Sequence, residues 1–111
     1  MAQHRKISEE TVYLVAERFK IMSDPMRLMI LNCLQEGPLS VMEIVSKTSA
    51  SQPNVSKHLK ILQGAGLVSR RRSGNLAIYQ ISDDSIFTMC DLVCNSLERR
   101  LKTQAEVFSV A

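Results

Sequence analysis

The stretch from Ser40 to Leu62, SVMEIVSKTSASQPNVSKHLKIL, constrains the fold more than any other part of the chain. Ser40 and Glu43 stand at capping-box spacing: the serine hydroxyl accepts from the amide three residues on, and the glutamate reaches back to the serine amide. Val41, Ile44 and Val45 recur at i, i+3 and i+4, one apolar stripe of a short helix. Thr48-Ser49-Ala50 interrupts that period. Ser51 is a good N-cap for a second helix, and Pro53 is tolerated in a first turn whose amides lack intrahelical acceptors. Val55, Leu59 and Leu62 mark the buried side of this helix. Its other face carries Gln52, Asn54, Ser56, Lys57, His58 and Lys60, without a carboxylate. Two short helices about a tight polar turn, the second polar and basic, make a helix-turn-helix whose second helix fits the DNA major groove.

The distribution of charge points to the same partner. A net charge of +3 decides little, but from Ile44 to Ser82 there are six basic residues (Lys47, Lys57, Lys60, Arg70, Arg71, Arg72) and no Asp or Glu. A basic segment that coincides with the helix-turn-helix is the footprint of a phosphate-binding surface. At 111 residues the chain is one domain with a modest core. No apolar run approaches the ~20 residues of a membrane span, and MAQHRKISEE lacks a signal-peptide core. A cytoplasmic location is expected, with Cys33, Cys90 and Cys94 reduced, and their odd number argues against a disulfide framework. Two histidines, no glycine-rich phosphate loop and no nucleophile–base motif argue against an enzyme.

Residues 1–7 read as a short flexible tail and 8–111 as one DNA-binding and dimerisation domain. Ser8 caps a helix to about Met22, with Glu9 and Glu10 at the positive end of its dipole and Val12, Val15, Phe19 and Met22 along its apolar face. Asp24-Pro25 starts a second helix. It is apolar over much of its circumference (Leu28, Met29, Ile30, Leu31, Cys33, Leu34) and is expected at the centre of the domain. Gly37-Pro38 ends it. Past Gly64-Ala65-Gly66, Leu67–Arg72 and Leu76–Ile81 alternate as two strands around Ser73-Gly74-Asn75. A hairpin carrying Arg70, Arg71, Arg72 and Asn75 directly after a helix-turn-helix is a wing, its arginines set to flank the backbone or enter the minor groove.

Asp83 or Asp84 caps a last helix to about Val107. Its stripe of Ile86, Met89, Cys90, Val93, Leu97 and Leu101 has little domain left to pack against. With Val12, Val15 and Phe19 it is the expected homodimer interface, which would present two recognition helices to half-sites about one DNA turn apart. The expected fold is therefore mainly α with a small β-hairpin: a winged helix-turn-helix of five helices plus wing, homodimeric through its first and last helices. Base readout falls to Gln52 and Asn54, because amides pair bidentately with adenine. Ser51, Ser56, Lys57 and Lys60 position the backbone, and His58 contacts phosphate or a base edge. A protein-interaction module on the same scaffold, with inert thiols, is the alternative.

Taken together, Ser23-Asp24-Pro25-Met26-Arg27-Leu28, Gln52 to Leu62, Gly64-Ala65-Gly66-Leu67-Val68 and the arginine-bearing wing resemble the ArsR/SmtB family over nearly the whole chain. The resemblance implies a homodimeric repressor of double-stranded operator DNA that leaves it when a metal ion, a metalloid or a thiol oxidant binds. One inducer site of that family needs a Cys-x-Cys pair where this chain has Ser40 and Met42. Another needs histidine on the last helix, which has none. A third uses cysteines of the last helix, with or without one on the second, and Cys90, Cys94 and Cys33 match it. In the family's persulfide sensors the second-helix cysteine falls nearer Asn32, and one position turns a side chain by about 100°.

Cys90 and Cys94, four apart, share a helix face with Cβ atoms about 5–6 Å apart, too far for a relaxed disulfide at about 3.5–4.5 Å. Two thiolates at that spacing can converge on one soft ion. With Cys33 as a third sulfur the set suits As(III), Sb(III), Cd(II) or Pb(II), and no cofactor is obligatory. A direct or polysulfide bond from Cys33 to the last helix is the redox alternative, and burial as a small hydrophobe is the inert one.

Overall fold

The structure is a computed structural model that describes residues 4–109. Residues 1–3 of the expected tail and 110–111 of the expected domain lie outside the described residues. Five helices and three short strands follow in order: α1 Glu9–Met22, α2 Pro25–Leu34, β1 Leu39–Ser40, α3 Val41–Thr48, α4 Gln52–Gly64, β2 Val68–Ser73, β3 Leu76–Ile81 and α5 Ser85–Ser109.

The start signals act as their chemistry requires. Ser8 accepts from the Thr11 amide, and Asp24 accepts from the amides of Met26 and Arg27 with Pro25 in the first turn. Ser40 and Glu43 close the reciprocal capping box, and Ser51 accepts from the Asn54 amide. The α3–α4 turn passes through Ser49, the one non-glycine with positive φ among the described residues, at 58°.

α2 is the hub. Ile30, Leu31 and Leu34 are buried against Ile44 of α3, Val55, Leu59 and Leu62 of α4, Leu67 just before β2, and Val68 and Tyr79 of the sheet. Leu28 and Met29 are an exception to the expected all-round burial: they are 38% and 50% exposed, because the last helix leaves a groove beside them. The sheet has the order β1-β3-β2, all antiparallel, so the wing hairpin gains a third strand that sequence periodicity did not suggest. Gly74 supplies φ 61° at the first central position of the two-residue turn, the type II′ arrangement that favours glycine there.

α5 divides its stripe between two uses. Ile86 is 1% exposed and belongs to the core of its own chain, a correction to its expected interface role. Met89 and Cys90 are half-buried against the same core, because the first turns of α5 lie over the domain. Beyond them Val93, Leu97 and Leu101, like Val12, Val15 and Phe19 of α1, are 39–62% exposed in the single chain. No described helix is long and apolar enough to cross a membrane.

Candidate nucleic-acid interface and thiol groove

The capping serine Ser51 sets the start of α4, and Val55, Leu59 and Leu62 fix its rotation by burying one side. That rotation leaves Ser51, Gln52, Lys57 and Lys60 exposed and Asn54 and Ser56 half-exposed. Register then orders the wing. Arg70 pairs across from Tyr79 and Arg72 from Ala77, so both point to the sheet face carrying buried Tyr79. Arg71, opposite Ile78, points to the other face. Ser56, Lys60 and Gln63 of α4 meet Arg70 and Tyr79 across a cleft of about 310 Å³. Two cations at a cleft between recognition helix and wing can straddle a phosphate. All three arginines and Asn75 are exposed.

His58 does not share this face. It is 6% exposed, and its Nδ1 accepts from Arg27 Nε at 3.2 Å. The expected DNA contact is therefore corrected to an internal one, for a reason present in the sequence. His58 stands three after Val55 and four before Leu62, which is the period of the buried stripe. Arg27 also donates to the Ile21 carbonyl at 3.0 Å, so one guanidinium ties the end of α1 to the middle of the recognition helix. Arg18 makes a second tie. It donates to the Ala65 carbonyl at the end of α4 (3.3 Å) and pairs with Asp83 (3.5 Å). Asp83 accepts from the amide and hydroxyl of Ser85 at the start of α5. These ties were not foreseen from sequence, since residues 31 and 47 positions apart have no local signature.

The carboxylates at these junctions are tuned towards ionisation. At Asp24 desolvation pushes the pKa up, but the amides of Arg27 and Met26, with the Arg27 guanidinium, outweigh it and lower the value. Glu43 is lowered by the Ser40 amide and hydroxyl, and Asp83 by Ser85 and then by Arg18.

The cysteines separate into two places. Cys90 and Cys94 line a groove of about 390 Å³ between α2 and α5, together with Leu28, Met29, Asn32 and Phe87. Cys33 lines a different recess, beside Glu36, Leu39 and Lys47. The expected third sulfur is thus on another side of α2, and position 32 faces the dithiol, as the rotation per residue requires. Among the described residues no three His, Cys, Asp or Glu side chains form a metal-holding group. Burial, with Cys94 and Asp91 nearby, pushes the Cys90 thiol up from its ordinary pKa.

A capped helix-turn-helix followed by a two-stranded basic wing defines a winged-helix DNA-binding protein. Residues 24–70, from the α2 cap into β2, match the family described as bacterial regulatory protein, arsR family. MJ1325 of Methanocaldococcus jannaschii, a helix-turn-helix-type transcriptional regulator, is 43% identical over 79 residues, 70% of this chain and 89% of its own. The crystal structure of Mycobacterium tuberculosis Rv0081 superposes with a TM-score of 0.79 at 35% identity, covering 88% of this chain and 99% of that one. The solution structure of the homodimeric winged helix-turn-helix domain of Mb0332 from Mycobacterium bovis has a TM-score of 0.73 at 28% identity, covering 91% and 94%. The chain belongs to the ArsR family of DNA-binding transcriptional regulators. The matched segment stops before α5, so the thiol pair lies outside it.

Proposed function

We propose that this chain is a homodimeric transcriptional repressor that leaves its operator when a thiophilic metal or metalloid binds Cys90 and Cys94. The observation that carries the reading is the surface formed by α4 and the wing: side-chain amides and five exposed cations in a segment without a carboxylate. Gln52 and Asn54 read bases, while Ser51, Ser56, Lys57, Lys60, Arg70, Arg71, Arg72 and Asn75 hold phosphates. The unpartnered apolar stripes of α1 and α5 pair two copies, a reading supported by their exposure and by the homodimeric state of the similar Mb0332 domain.

The dithiol acts through α5. That helix starts at Asp83–Ser85, which Arg18 links to the end of the recognition helix. A ligand that redirects α5 against α2 biases the spacing of the two reading heads, and so the affinity for the operator. The separation of Cys33 from the pair favours a bound thiophile over a bond between Cys33 and the last helix. The test is fluorescence anisotropy of the reduced protein on its own upstream DNA, titrated with arsenite and with cadmium. Release near one equivalent per protomer, lost in the Cys90→Ser/Cys94→Ser double variant, is expected. Release that survives the double variant would overturn the assignment.

A further inference from the structure

We infer that the hollow where α2 ends against β3 and the start of α5 is a binding site for a small primary amine, held as its ammonium and carrying one apolar chain. The site is separate from the dithiol groove and does not rest on the reading of Cys90 and Cys94.

The hollow has a volume of about 520 Å³, within the range of small-molecule sites. Gln35 and Phe87 line both it and the dithiol groove, and so form the wall between the two. The first observation is the sign of the charge. Asp84 is the one ionisable side chain of the lining, and no Lys or Arg answers it there. Its neighbour Asp83 is engaged by Ser85 and Arg18. Among the described residues the exposed Asp84 carboxylate makes no hydrogen bond or ion pair. The last turn of α2 also lacks a basic residue, so the negative end of its dipole meets the same space without a side-chain counter-charge. One carboxylate beside one helix C-terminus favours a single positive charge and repels an anion.

The second observation is the hydrogen-bonding character. A carboxylate only accepts, and Pro38 has no N–H to offer. The Ser82 hydroxyl already donates to the Gly66 carbonyl at 2.8 Å, which leaves its oxygen as an acceptor. The Gln35 and Gln80 amides can each turn an oxygen inward. Acceptors around one space call for a ligand rich in donors, and a primary ammonium carries three N–H groups and no acceptor. The third observation is the apolar side. Leu34 is buried, and Ile81 and Phe87 are half-buried against the core. An alkyl chain laid on them removes apolar surface from water.

The test uses the full-length reduced protein, isotope-labelled for NMR, near neutral pH and at low salt. Three probes of one chain length are titrated: n-pentylammonium chloride, 1-pentanol and sodium pentanoate. Amide shifts report both affinity and place. The ammonium is expected to bind about tenfold more tightly than the alcohol, the worth of one charge-assisted hydrogen bond, with pentanoate weakest. The shifts should centre on residues 35–37 and 80–87. Asp84→Asn keeps the shape of the side chain while removing its charge, and should bring the ammonium to the affinity of the alcohol. Asp91→Asn, which removes a carboxylate from the dithiol groove, should leave the preference intact, and so should Cys90→Ser/Cys94→Ser. No saturable shift with the ammonium, equal affinities of ammonium and alcohol, a preference that survives Asp84→Asn, or shifts centred on Cys90 and Cys94 would overturn the site.

Discussion

His58 and Arg27 make a side-chain bond between the recognition helix and the rest of the domain, at a position turned away from DNA. Removing the acceptor leaves a partly buried guanidinium short of a partner, which costs about 1–3 kcal/mol. His58→Leu should lower the urea midpoint accordingly, and His58→Asn, whose amide oxygen can sit near the Nδ1 position, should recover much of it. Equal stabilities of the two variants would contradict the bond. Asp24, Glu43 and Asp83 all have lowered pKa values in the folded chain. For a lowered carboxylate the sign is fixed: its contribution is present above the unfolded value and is lost as pH falls through the folded one. The urea midpoint should therefore drop below about pH 4, and Asp24→Asn should flatten that dependence.

At the scale of the element, the wing's register separates its three arginines. Arg70 and Arg72 share the Tyr79 face, and Arg70 meets Lys60 across the cleft, whereas Arg71 points the other way. Each phosphate contact removed should flatten the salt dependence of operator binding by about 0.9 in log–log slope. Arg70→Ala is expected to do so, and Arg71→Ala, on the opposite face of the wing, to do so less. Most of the elements could be read from the chain because caps and periods are local: Ser40–Glu43, Asp24-Pro25 and Ser51 each declare a helix start within four residues. β1 could not, since two residues give no period and exist as a strand only by pairing with Tyr79 and Ile78. His58 was legible but outweighed: its polarity suggested solvent, while its spacing from Val55 and Leu62 placed it inside. The facing of Asn32 and Cys33 followed from helix rotation, but the groove itself needed α2 and α5 side by side.

For the whole molecule, two apolar stripes remain uncovered in the single chain, on α1 and on the outer part of α5. An overall extent of 59 × 41 × 21 Å fits a long α5 reaching beyond the domain that its first turns cover. Leu97→Asp with Leu101→Asp should convert a dimer to a monomer in sedimentation and weaken operator binding, while leaving the core, which ends at the first turns of α5, folded. A dimer that survives both charges would move the interface elsewhere. Under the proposed function, pairing sets the distance between the two reading heads, and a ligand on the dithiol would adjust it through α5.

The most direct measurement is the affinity of the reduced protein for its own upstream DNA, against a scrambled duplex, across a series of potassium chloride concentrations. Tight, sequence-dependent binding is expected, with a steep log–log salt slope that flattens in the Arg70→Ala/Arg72→Ala variant. Binding that does not distinguish the two duplexes, or a slope unchanged by the loss of both arginines, would contradict that expectation.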